Sequence, residues 1–389
     1  MPPFTKGQQL NIFVTFWIIS ITEINEIRQD FTVDMYFHLY WTDFRITFPV
    51  CEDSPFIIVD QELVDKIWMP DIFFAQGKKA IRHYVVRRNA GLWLNKEKTQ
   101  LFFSERLTVT NFCAFDFRNF PLDRQVCSLP VETYAFHGLY VNTSFKAPGI
   151  QFDNFKFKIP QYTLSSVLPS SCSYDYLYEG SYYLNQSCVQ ADFTFDRQFS
   201  YYFVQMYLPS ILIVLVSFLS FWVPVENVPG RVSLGVTSLL TLATQFTTMQ
   251  RSLPPVSYMK AMDVWMFFCI VGVFLAMVEF TLAFNFKIVL ASSADDKKPV
   301  PVLQPVATIT PDIDPLGTNI KREPKIIVIS EADGKPSVAS LARGFVVGFV
   351  KRFHAKKGNV IDNISKVLFP TTFVVFNVVY WLHYTRQEQ

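Results

Sequence analysis

Charge is scarce in this chain. Asp, Glu, Lys and Arg supply only 17% of its 389 residues against 50% apolar types, and the net charge of +2 lacks the basic bias of a nucleic-acid binder. There is no acidic tail. Catalytic signatures are missing too: no P-loop, no GxSxG and no HExxH occurs, and the five histidines (His38, His83, His137, His354 and His383) are scattered. This argues against an enzyme and leaves His38 and His137 as pH-sensitive members of a site or its surroundings. The six cysteines include no CxxC and no His/Cys cluster with zinc spacing, so neither a metal nor another cofactor is expected.

Disulfides suit the cysteines better. Cys113 and Cys127 enclose thirteen residues and Cys172 and Cys188 enclose fifteen, all upstream of the first long apolar run, which fits an oxidising compartment. Cys269 falls inside an apolar helix as a core thiol, and Cys51 receives no assignment. The sequons Asn142-Thr143-Ser144 and Asn185-Gln186-Ser187 lie in the same half and mark Asn142 and Asn185 as glycosylation candidates. Residues 12–21 resemble a signal-peptide core, but no small-residue cleavage site follows; a buried strand is expected there, with the true signal missing.

Up to residue 200 the chain is rich in Phe, Tyr, Val, Ile and Thr, cut by turn-formers such as Asn89-Ala90-Gly91 and Ala147-Pro148-Gly149, which indicates a β-sandwich. Residues 201–222 carry no charge, enough for a helix of about 33 Å against a hydrocarbon core of about 30 Å. Residues 232–249 also lack charge but hold seven hydroxyl residues; 264–278 and 367–384 complete four spans. An even number returns the C-terminus to the side of the β-domain. The connection 287–366 holds thirteen Lys and Arg against eight Asp and Glu, which makes that side cytoplasmic by the positive-inside bias. Within it, 291–335 is rich in Pro and Asp and reads as flexible, whereas 337–360 reads as an amphipathic helix with Leu341, Phe345, Phe349 and Phe353 in register; a membrane-surface helix is the alternative.

On a helix turning about 100° per residue, with Ser233 at zero, Thr237, Leu240, Thr244, Thr247 and Arg251 fall within about 40° of one line. A hydroxyl stripe can simply glue helices together. Arg231 at its start and Arg251 at its end favour a pore wall instead, with rings of positive charge and a hydrophobic constriction at Leu240. One helix cannot enclose a pore, so several copies are required.

The segment from Cys113 to Cys127, with Phe120-Pro121-Leu122-Asp123 inside it, resembles the signature loop of the Cys-loop receptors, the pentameric ligand-gated ion channels. Trp68-Met69-Pro70-Asp71, Arg197, Pro229-Gly230-Arg231, Phe369-Pro370 and Tyr380-Trp381 are similar to family motifs in matching order, and the glycine- and GABA-receptor-like anion branch matches best. The resemblance implies a multidomain membrane protein: an extracellular all-β immunoglobulin-like sandwich (1–199) followed by a four-helix transmembrane bundle. Helices one to three occupy 200–286, with the pore helix at about 230–251; a cytoplasmic connection spans 287–362 and the fourth helix with an extracellular C-terminus 363–389. It implies a homo- or hetero-pentamer in the plasma membrane, both termini outside, contacting membrane lipid, passing anions and opened by a small agonist between subunits. An accessory subunit that needs a partner to conduct is the alternative.

By the same resemblance the agonist lies in an aromatic box. Tyr36, Phe73 or Phe74 (Phe74 preferred), Tyr134 and Phe136 match box positions, and Tyr174, Tyr176, Tyr178, Tyr182 and Tyr183 crowd the loop between Cys172 and Cys188. Such rings hold an ammonium through their negative faces, and Glu132 adds a carboxylate. Where the branch places an arginine this chain has His38, which removes a guanidinium fork for an agonist carboxylate; Arg106 is either its substitute or a structural ion-pair partner. No acidic residue adjoins Arg231, which favours anions, although Glu226 lies a few residues before it. Agonist binding is expected to act through the Cys113 to Cys127 loop, including Asp116, Phe120, Pro121 and Asp123, with Arg197 pairing Asp123 or Asp116.

Overall fold

The computed structural model describes residues 2–3, 8–46, 56–95, 99–152, 159–178, 182–295 and 360–386. Eleven strands are present among them: β1 (Leu10–Asn25), β2 (Asp30–Thr42), β3 (Phe56–Val59), β4 (Ile72–Phe74), β5 (Gly77–Arg82), β6 (Ala90–Asn95), β7 (Gln100–Phe112), β8 (Arg124–Thr133), β9 (Val141–Phe152), β10 (Tyr162–Tyr178) and β11 (Tyr182–Arg197). Strands form here because apolar residues recur every second position: β7 alternates buried and half-buried residues along nearly its whole length. The expected strand over 12–21 is part of β1, whose Ile12, Val14, Phe16 and Ile18 are fully buried.

One sheet has the order β3-β6-β7-β2-β1-β9, with β5 also on β7, and the other has the order β10-β11-β8-β4. Rings from the two inner faces interdigitate. Phe31 of β2 lies 5.5 Å from Phe193 and 6.2 Å from Phe195 of β11, and Phe37 of β2 lies 5.5 Å from Phe74 of β4. Burying each such ring contributes about 1.5–3 kcal/mol. Cys113, just past β7, is bonded to Cys127 of β8, and Cys172 of β10 to Cys188 directly opposite it on β11. Cys269 is free and buried, and Cys51 lies outside the described residues.

Four long helices follow. The first, Phe199–Trp222, widens into a π turn over Phe203–Tyr207, which accommodates Pro209, a residue without an N–H whose ring crowds the carbonyl one turn earlier. The second, Val228–Gln250, starts with Pro229 in its first turn and with the Asn227 side chain accepting the Gly230 N–H at 3.4 Å, a normal helix start. The third is Ala261–Asp295 and the fourth Val360–Arg386. The third helix therefore continues through residues 291–295, where the sequence predicts a flexible connection; the amphipathic helix expected at 337–360 lies outside the described residues except for its last position. Among the described helices, the first, third and fourth are apolar enough to cross a membrane on composition. The second is diluted by its hydroxyl residues.

By contacts the chain divides into two compact units, one comprising Met1–Ile213, Leu240–Ile270 and Val375–Gln389, the other Val214–Leu239 and Val271–Val374. In the first, the hydroxyls of Tyr207 and Tyr380 meet at 2.8 Å, Trp265 Nε1 donates to Ser210 Oγ at 2.9 Å, and Phe268 stacks on Phe376. In the second, Phe218 and Phe221 pack on Phe369, and a Cβ at Gly235 would lie 2.6 Å from Met277 Cγ, so glycine permits the close approach of the second and third helices.

Candidate functional site

The four-stranded sheet gathers one group of candidates. Glu132 of β8 lies directly opposite Phe73 of β4 on one side and Cys188 of β11 on the other, and opposed residues share a face. The Tyr176 hydroxyl donates to Glu132 Oε1 at 2.7 Å, while Oε2 is buried and has no partner among the described residues. Burial raises the Glu132 carboxyl above the usual range, against the lowering effect of the Tyr176 hydrogen bond. The Tyr176 phenol is pushed up to about 12 by burial and by the Glu132 carboxylate. Tyr134, 75% exposed, turns its ring edge-on to Phe73 at 5.4 Å, and the Tyr174 and Tyr176 rings lie 6.4 Å apart. A carboxylate with a spare oxygen among aromatic faces suits an ammonium group.

Phe73, not Phe74, belongs to this group. Adjacent strand residues point to opposite faces, and Phe74 packs inward on Phe37. Phe136 is half-buried in the turn after β8, where its carbonyl accepts the Thr133 hydroxyl. Tyr178 and Tyr182 are paired at the tip of the β10–β11 hairpin and Tyr183 is opposite Leu177; the side chains of these three tyrosines lie outside the described ones.

A second group lies on the outward face of the seven-stranded sheet. Trp17 of β1, Tyr36 of β2 and Arg106 of β7 form one row across three strands, with Trp17 37% and Tyr36 40% exposed. Sequence reasoning missed Trp17 by treating its run as buried throughout; its place in the outward phase, with Thr15, was the available signal. His38 is within 3.2 Å of the Thr15 hydroxyl and edge-on to Phe102, and burial pushes its pKa down to about 4, so it is neutral at pH 7. Arg106 is an ion-pair partner: its Nη2 and Nε reach Asp34 at 2.5 and 3.3 Å. The two groups occupy different sheets of one chain.

At the end of β11, Arg197 is fully buried in a cluster of acids and rings. Its Nε and Nη2 bond both oxygens of Asp123 at 2.6 and 3.0 Å, Nη1 reaches Glu26 and the Tyr202 hydroxyl, and the guanidinium lies 4.6 Å from the rings of Phe120 and Tyr162. Burial opposes its charge, but the Asp123 hydrogen bonds and charge prevail and hold its pKa above the ordinary arginine value. Asp123 is thus the partner; Asp116 is exposed and lies 3.6 Å from Arg118. The same loop reaches the third helix: the Phe117 N–H donates to the Tyr258 hydroxyl, Ala261 N–H to the Arg118 carbonyl and Met262 N–H to the Phe120 carbonyl, at 2.8–3.1 Å.

Residues 1–199 match the model of the neurotransmitter-gated ion-channel ligand binding domain and residues 206–329 that of the neurotransmitter-gated ion-channel transmembrane region. The chain belongs to the neurotransmitter-gated ion channels. Relatives include a glutamate-gated chloride channel of Drosophila melanogaster, 31% identical over 98% of this chain and 85% of its own length. The gamma-aminobutyric acid receptor subunits rho-2 of Bos taurus (30%; 98% and 85%) and rho-3 of Homo sapiens (31%; 98% and 84%) are similar over comparable lengths. The chain is therefore a subunit of a ligand-gated ion channel and not an enzyme.

In this channel subunit the second helix has two unlike sides. Ser233, Thr237, Leu240, Thr244, Thr247 and Arg251 are all exposed in the single chain, whereas Gly235, Ser238 and Leu242, roughly half a turn away, are buried. Arg231 corrects the sequence reading. It stands about 160° from Ser233 rather than on the stripe, is 2% exposed, and bonds Asp362 at 3.2 and 2.7 Å and the Val223 carbonyl. No positive ring comes from it. Arg231→Ala strands a buried carboxylate at a cost of about 3 kcal/mol; the expected result is reduced surface expression with an unchanged reversal potential in the channels that remain, read by surface biotinylation and voltage ramps. Asn142 and Asn185 are both exposed, and the Ser187 hydroxyl of one sequon donates to Asn142 Oδ1 of the other at 3.3 Å.

Proposed function

We propose that five copies, identical or mixed with related subunits, form a plasma-membrane chloride channel opened by a small amine at subunit interfaces. The carrying observation is the buried, unpartnered Glu132 oxygen beside Tyr176, Phe73 and Tyr134. In a ring of copies this group on one subunit would meet the Trp17–Tyr36–Arg106 row of the next, so a site split between two sheets becomes one pocket. Residues 1–199 and the C-terminus lie outside, glycosylated at Asn142 and Asn185, and the basic connection 287–362 faces the cytoplasm.

Anion selectivity is supported by a stripe, from Ser233 to Arg251, that contains no acid and ends on the exposed Arg251. The agonist signal passes from the pocket through Asp116, Phe120, Pro121, Asp123 and Arg197 to the Tyr258 segment, and the pore opens around Leu240. The deciding experiment is voltage clamp of cells expressing this chain alone, screened with amines, amino acids, choline esters and pH steps while chloride is varied. A ligand-evoked current reversing at the chloride potential is expected. A reversal that tracks sodium overturns the selectivity, and silence from surface pentamers overturns the homomeric channel.

A further inference from the structure

The outward face that carries Tyr36 also carries a closed ion pair. Asp34 lies two residues before Tyr36 on β2, opposite Thr108, with its side chain 9% exposed. Its two oxygens take both Nη2 and Nε of Arg106, the Thr108 hydroxyl donates to Oδ1 at 3.4 Å, and His83 Nε2 stands 2.7 Å from that hydroxyl and 3.7 Å from Oδ1. Arg106 is the guanidinium in the row with Tyr36, and its Nε–Nη2 edge, one of the two that grip carboxylates, is already spent on Asp34. His38, one step further along β2, offers a neutral ring.

We propose that Asp34 is a specificity-determining residue which, by occupying Arg106, excludes agonists that bear a carboxylate and reserves the pocket for amines without one. An incoming carboxylate must either displace Asp34, leaving a buried anion unpaired, or lie beside it with like charge against like. An amine makes no such demand, because its ammonium is satisfied by Glu132 across the interface. The inference rests on the interface reading above and gives its agonist a chemical class.

The test uses full-length channels and three pairs of compounds that differ by one carboxylate: tyramine and tyrosine, tryptamine and tryptophan, histamine and histidine. Currents give apparent affinities, and calorimetry on the detergent-purified assembly gives binding without the need for gating. The wild type is expected to prefer the amine of each pair. Asp34→Asn, which keeps the shape but removes the charge, is expected to narrow that preference at least about tenfold by strengthening amino-acid binding, the size of one charge-assisted hydrogen bond. Asp34→Ala is expected to act in the same direction and serves if the Asn variant fails to assemble. A wild type that binds the amino acid as well as the amine overturns the proposal, as does an unchanged ratio in assembled Asp34 variants. If no amine binds the wild type, the interface reading fails, while gain or lack of gain of amino-acid binding in the variants still decides the role of Asp34.

Discussion

Arg197→Ala abolishes agonist-evoked current and most surface expression: this is the expected result of emptying the junction between β-domain and membrane. The substitution leaves Asp123 and Glu26 as neighbouring buried carboxylates with no cation between them, a loss of about 3–5 kcal/mol. That is a large share of the roughly 5–15 kcal/mol by which a domain is stable. The rings of Phe120 and Tyr162 also lose the guanidinium they flank. Adding Asp123→Leu to Arg197→Met removes both charges of the bidentate pair and should recover part of the surface protein, because replacing a buried pair with apolar residues is far less damaging than breaking it. Recovery of assembly without recovery of current assigns Arg197 to signal transfer as well as folding. Normal gating by Arg197→Ala refutes the assignment.

Glu132→Gln is expected to raise the half-maximal agonist concentration at least about thirtyfold, the lower end of what losing one member of a buried charge pair costs. Stability should move the other way. Burial raises the Glu132 carboxyl, so in the resting protein its ionised form opposes folding above the ordinary carboxylate range, and protonation or the Gln substitution relieves that opposition. The variant should therefore unfold at a slightly higher temperature while responding poorly to agonist. The same direction predicts that agonist potency falls on acidification at a higher pH than an ordinary carboxylate would give, and that Glu132→Gln flattens this dependence. Dose–response curves across pH, beside thermal unfolding, check both halves.

Much of the architecture was legible because it depends on local repetition. Alternating apolar residues specify β7 and β2, uncharged runs specify the helices, and the Cys113 to Cys127 segment carries its own pattern. What escaped depends on phase or on distant partners. Nothing local tells whether Phe73 or Phe74 faces outward on a three-residue strand; pairing with Glu132 sets it. Arg106 and Asp34 are 72 residues apart, and Arg231 and Asp362 are 131 apart, so neither ion pair had a signal in the sequence. The helical angle alone would have removed Arg231 from the stripe, but its charge at the end of a hydroxyl run drew the wrong reading.

The threonine hydroxyls of the stripe have already given away their protons. Thr237, Thr244 and Thr247 donate to the carbonyls of Ser233, Leu240 and Ala243, one turn back along their own helix. A wall of such threonines offers a passing chloride oxygen lone pairs rather than donors, so along their length it cannot replace the ion's hydration shell. In a pore lined by this helix the anion would travel with its water, and discrimination by sign would fall to the field of Arg251 at the mouth rather than to coordination along the way.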